Sequence, residues 1–138
     1  MNIELNLKNN AFHFEAVNET QNTVQIDASP GIGGEGKGAR PMELLIMGLG
    51  GCSAIDVLSI LRKQKIEVSK FKITIQAERE KDAVPSLFTD IHIEYWFDKN
   101  LDKDKAKRAI ELSLNKYCSV AKTLEKTARI TYDMRFEL

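Results

Sequence analysis

One segment restricts what this chain can fold into more than any other: PMELLIMGLGGCSAIDVLSILRKQ, residues 41 to 64. Proline suits the first turn of a helix and Glu43 complements its positive end, while the basic tail Arg62-Lys63-Gln64-Lys65 complements the negative end. No further proline interrupts the segment, so it predicts one helix of about 36 Å at a rise of about 1.5 Å per residue. Leu44, Leu45, Ile46, Met47 and Leu49 lie nearly all round its first half, which predicts burial on every side there. Inside the helix sits GLGGCSA, residues 48 to 54. Each glycine costs roughly 1 kcal/mol against alanine in a helix interior, so the chain weakens a helix where it places a thiol. A single small domain has difficulty wrapping such a helix completely, and an intertwined dimer removes the difficulty.

Strand patterns surround this helix. Ile3, Leu5 and Leu7 alternate with polar residues, as do Phe12, Phe14 and Ala16, then Val24, Ile26 and Ala28, with a turn across residues 18–22. SPGIGGEGKGAR, residues 29–40, holds five glycines in twelve positions and reads as a loop. After the helix, Phe71, Ile73, Ile75 and Ala77 alternate, then Ile91, Ile93, Tyr95 and Phe97. Asp102 can cap a second helix with Ala106, Ala109, Ile110, Ser113, Leu114 and Tyr117 on one stripe, and CSVAKTLEK suits a short third. Ala128 to Leu138 alternates as a last strand. The order predicts one α+β domain over residues 1–138.

Lysine plus arginine and aspartate plus glutamate balance at 20 each, so no basic excess argues for nucleic acid or an anionic membrane. MNIELNLKNN has neither the basic nor the apolar region of a signal peptide. The charge-free run from Leu44 to Ile55 is short for a membrane span. A cytoplasmic protein with reduced thiols is the expectation.

Several kinds of chemistry are set aside by pattern. His13 and His92 fall on the polar faces of strands, and two isolated histidines with two distant cysteines lack the close ligand spacing of a zinc site, so no metal is expected. The glycine loop has no GxGxxG and no terminal Lys-Ser/Thr. The cysteines remain. Gly48, one turn before Cys52, and Gly51 beside it allow close approach, and Asp56 one turn later is unexpected in an apolar interior. Cys118 has Lys116 and Lys122 nearby, a setting that favours thiolate. A redox pair is one reading of these residues, and a small buried hydrophobe is the other.

RPMELLIMGLGGCSAIDVLSILRKQK, residues 40–65, together with YCSVAKTLE, residues 117–125, resembles the OsmC/Ohr family of osmotically inducible and organic hydroperoxide resistance proteins. The similarity is greatest to its shorter OsmC-like branch, where Pro-Met-Glu-Leu-Leu precedes Gly-Gly-Cys. The resemblance implies an intertwined α+β homodimer, with antiparallel sheets around long central helices and active sites at the subunit interface, and peroxiredoxin-like reduction of organic hydroperoxides in an apolar pocket. Cys52 matches the peroxidatic cysteine and Cys118 the resolving one. The implied reductant is an external dithiol, such as a protein-bound lipoyl group, with no bound cofactor.

Departures from the family pattern concern activation. The hydroperoxide reductases of the family carry glutamate directly after the proline, paired with an arginine from the N-terminal hairpin. Here that residue is Met42, no arginine precedes Arg40, and Ser119 replaces the usual proline after the second cysteine. Arg40 and Glu43 lie nearby in sequence as candidate polar support, and Arg40 or Lys37 of the partner subunit could supply the positive charge. The alternative reading is an OsmC-like redox sensor or small-ligand binder with weak or no peroxidase activity.

Overall fold

Period-two alternation and glycine punctuation account for most element boundaries in the computed structural model, which describes residues 1–138. The chain forms two compact units, Met1–Leu45 and Ile46–Leu138.

In the first unit, β1 (Ile3–Leu7), β2 (Phe14–Asn18) and β3 (Thr23–Ile26) make an antiparallel sheet in the order β1-β2-β3. Asn18 closes the β2–β3 turn: its side-chain oxygen accepts from the Thr20 and Asn22 amides, and Gln21 takes φ +67°. The glycine-rich stretch is a loop with one short 3-10 turn, Pro30–Ile32. Its organiser is Asp27, which is 1% exposed. The Asp27 carboxylate accepts backbone N–H groups from Ala28, Glu35 and Lys37 at 2.7, 3.1 and 3.0 Å. Two glycines here are steric necessities. A Cβ on Gly34 would fall onto the Ala28 carbonyl, and one on Gly38 onto the Gln25–Ile26 backbone.

In the second unit, β4 (Phe71–Arg79), β5 (Phe88–Phe97) and β6 (Arg129–Phe136) form a sheet in the order β4-β5-β6. The family resemblance implies antiparallel sheets, but β5 and β6 pair in parallel. The cause is the connection: α2 (Lys103–Leu112) and α3 (Ser119–Leu124) intervene, and a helical crossover returns the chain in the same direction. Asp102 caps α2 as its sequence position suggests, accepting the Lys105 N–H at 3.0 Å. β5 lies in the middle, and Ile93, Tyr95 and Phe97 on it are wholly buried. Full burial of side chains of that size is worth about 1.5–3 kcal/mol each. Neither histidine is free: His13 Nε2 lies 2.6 Å from Gln25 Oε1, and His92 Nδ1 lies 2.8 Å from Thr131 Oγ1.

The long helix α1 runs Pro41–Lys63, within a residue of the predicted span. The expectation that its first half is buried all round does not hold within one chain. Its buried residues are Leu49, Ser53, Val57 and Leu61, a stripe at four-residue spacing, while Leu45, Met47 and Ile55 are 44%, 57% and 70% exposed. A helix packed on one sheet buries one face and leaves the other open. There is also one long helix per chain, since α2 and α3 have 10 and 6 residues. By length and composition α1 could cross a membrane, so the short charge-free run is no argument on that point.

Candidate active site

Cys52 and Cys118 belong to motifs far apart in the sequence, and the fold brings their sulfurs together. The Cys52 Sγ, the Cys118 Sγ and an Asp56 carboxylate oxygen all lie within 4.8 Å of one another. Cys52 and Asp56 are one helical turn apart on α1, so both sit on one face of it. Both are half-buried, whereas Cys118 is wholly buried, and the two thiols are free.

Cys118 owes its position to an irregular turn that its sequence does not announce. After α2 the helix widens into a π turn, Ser113–Tyr117, and the Cys118 N–H donates to the Ser113 carbonyl at 2.7 Å. Such turns shift the helical register by one residue and recur at functional sites. Here the extra residue lets Ser113 and Cys118 both face α1. The Cys118 Sγ also accepts the Ala121 N–H at 3.4 Å and so caps α3.

A buried polar chain backs the thiols. Ser113 Oγ donates to Asp56 Oδ2 at 3.0 Å, Ser53 Oγ lies 2.9 Å from Ser113 Oγ, and Tyr95 OH lies 2.6 Å from Ser53 Oγ. Ser53, Ser113 and Tyr95 are all fully buried. Burial pushes the Tyr95 phenol well above its ordinary range, so it stays a neutral hydroxyl. The sequence marks Asp56 as out of place in an apolar helix but assigns Ser53, Ser113 and Tyr95 no role. Ser113 reads there as one member of the α2 stripe and Tyr95 as strand core, and a serine on a helix stripe carries no signal of its bonding partner.

The electrostatic expectation for Cys118 is overturned. Burial, with the neighbouring Cys52 and Asp56 adding to it, pushes this thiol up to about 11 against the opposing effect of the Ala121 N–H. Lys122 instead pairs with Glu125 at 3.0 Å, and Lys116 lies over the Tyr117 ring at 5.3 Å from its centre. Arg40 and Glu43 are engaged with each other at the head of α1, where the Arg40 N–H donates to Glu43 Oε1 at 2.9 Å. Glu43 and Cys52 are nine residues apart on one uninterrupted helix, an axial separation of about 13 Å. The Lys37 N–H is taken by Asp27.

The glycines divide by role. A Cβ on Gly50 would meet Ile75 Cδ1 at 3.1 Å, so that glycine lets β4 pack against α1. A Cβ on Gly48 or Gly51 would have nothing within 4 Å.

The family model for OsmC-like protein matches residues 34–133. The chain is 45% identical to Protein YhfA of Escherichia coli K12 over 97 residues, which are 70% of this chain and 72% of that protein. The crystal structure of a hypothetical protein from Aquifex aeolicus VF5 superposes with a TM-score of 0.79 at 29% identity, over 99% of this chain and 97% of that one. The organic hydroperoxide resistance protein OhrB of Bacillus subtilis shares the fold at 16% identity, with a TM-score of 0.67 over 97% of this chain and 96% of that one.

Proposed function

The chain belongs to the OsmC/Ohr family of OsmC-like proteins, and from that premise we propose that it reduces organic hydroperoxides with Cys52 as the nucleophile and Cys118 as the resolving thiol. The observation that carries this reading is the meeting of two free cysteines, distant in sequence, beside one carboxylate. Half-exposed Cys52 takes the reactive role because a peroxide can reach it, and buried Cys118 the resolving role because it need only reach Cys52.

In the first step the Cys52 thiolate attacks the terminal peroxide oxygen, the O–O bond breaks, and the alkoxide leaves as alcohol after taking a proton. In the second, Cys118 sulfur attacks the Cys52 sulfenic acid, and the hydroxyl leaves as water with the Cys118 proton. A thiol held up near 11 does not shed that proton unaided at neutral pH. Asp56 is the nearby acceptor, and its bond from Ser113 Oγ keeps the carboxylate oriented. An external dithiol, such as a protein-bound lipoyl group, then restores both thiols.

The same reading includes a cytoplasmic homodimer in which α1 pairs with its counterpart across the face that bears Met47, Gly51 and Ile55. The apolar peroxide pocket then forms between subunits. Arg40 of the partner subunit supplies the charge that the family's arginine–glutamate pair supplies elsewhere. A redox sensor with little turnover is the second reading. It is favoured by Met42, which stands where the hydroperoxide reductases of the family carry the glutamate of their activating pair.

Reduced protein treated with cumene hydroperoxide tests the proposal. Stoichiometric loss of both thiols to a Cys52–Cys118 disulfide is expected, with Cys118→Ser stopping at a sulfenic acid on Cys52 and Cys52→Ser inert. Thiols that survive excess peroxide overturn it. One disulfide formed without turnover in the presence of dihydrolipoyl donors selects the sensor.

A further inference from the structure

Folding gathers into one cluster the two cysteines whose sequence spacing is too wide for a zinc site. We propose that Cys52, Cys118 and Asp56 form a binding site for one divalent zinc-class cation. Three ligand atoms, two sulfurs and one oxygen, lie within 4.8 Å of one another. In a tetrahedral zinc site, with Zn–S near 2.3 Å and Zn–O near 2.1 Å, neighbouring ligand atoms stand roughly 3.5–3.8 Å apart. A contraction of at most about 1.3 Å, within reach of side-chain rotation, completes that geometry. Paired thiolates select zinc over the hard cations magnesium and calcium.

Two features of the surroundings are those of a supported metal site. Ser113 Oγ holds Asp56 through Oδ2 at 3.0 Å, which fixes the carboxylate and leaves it lone pairs for a cation. The Ala121 N–H donates to the Cys118 sulfur, the bond that steadies a metal-bound thiolate. The local charge balance points the same way. Two thiolates and a carboxylate, partly buried together, repel one another, whereas a dication offsets two of their three charges. Cys52 and Asp56 are half-exposed, so the open side of the site offers an entry path and a position for water. Binding releases two protons, one from each thiol, with no change in oxidation state. Cation and disulfide compete for the same two sulfurs, so the occupied form is held reduced.

Titration of the reduced protein with Co²⁺, followed by displacement with Zn²⁺, tests the site. One equivalent should saturate a thiolate-to-cobalt charge-transfer band and release two protons. The band should vanish in Cys52→Ser and Cys118→Ser, and Asp56→Asn should weaken binding at least ~10-fold, the scale on which losing a site group acts. Zn²⁺ should also protect both thiols of the unaltered protein from alkylation, a readout that needs no variant to fold. No saturable band, a band that survives in folded Cys118→Ser, equal affinity in Asp56→Asn, or alkylation unaffected by Zn²⁺ overturns the proposal. Peroxide is absent throughout. Failure here therefore leaves the hydroperoxide reading standing, and failure of that reading leaves this one untouched.

Discussion

Ser53 shows how one small side chain can tie a site to its scaffold. It shares hydrogen bonds with Tyr95 OH and Ser113 Oγ, and Ser113 in turn orients Asp56. Ser53→Ala strands a buried phenol and should cost about 1–3 kcal/mol in urea unfolding. Tyr95→Phe in the same background should recover part of that loss, because the orphaned hydroxyl disappears with it. Equal costs for the single and double variants would show that the Tyr95 hydroxyl finds another partner. Activation is also a residue-scale question. Arg40 uses its backbone N–H on Glu43, which leaves its guanidinium free to serve a second subunit. Under the proposed function, Arg40→Ala lowers the rate of Cys52 oxidation by cumene hydroperoxide roughly 10-fold or more, and an unchanged rate removes Arg40 from the mechanism.

At the scale of elements, the glycine-rich loop depends on the charge state of Asp27. Backbone N–H groups, that of Lys37 foremost, hold its carboxyl below the ordinary value of 3.8. A carboxyl depressed in the folded state contributes stability that is fully present above the unfolded value. That contribution is lost as pH falls below 3.8 and through the lower folded value. The protection of the Glu35 and Lys37 amides relative to free-chain exchange should therefore fall on acidification across that window. Asp27→Asn should flatten the acid dependence of the urea midpoint, and an unaltered acid limb would assign it to other carboxylates. The π turn is the second decisive element, since it delivers Ser113 and Cys118 to the same side.

For the whole molecule, the decisive surface is the uncovered side of α1. Met47 and Ile55 are large apolar side chains at 57% and 70% exposure, and a Cβ on Gly51 would meet nothing in its own chain. An uncovered apolar face of this kind suits association, and the proposed homodimer covers it. Ile55→Glu should convert the dimer to monomer in sedimentation velocity. Gly51→Ala gives the opposite test: a free helix gains about 1 kcal/mol from the exchange, whereas a closely packed partner helix loses by it. A protein that sediments as a monomer before any substitution would overturn the dimer.

Local pattern determined much of this protein by itself. Alternation set the six strands, and capping and charge set α1 and α2, while Cys52 and Cys118 stood out only through the family resemblance of their motifs. These features are legible because they depend on neighbours within a few residues. What only the tertiary structure decided depends on residues far apart in the chain. The crossover makes β5 and β6 parallel, and the π turn and α1 bring the two sulfurs to one carboxylate. Burial then raises the Cys118 thiol where nearby lysines suggested the reverse. Dielectric and distance, which govern thiol chemistry, are properties of the folded surroundings, and sequence spacing carries neither.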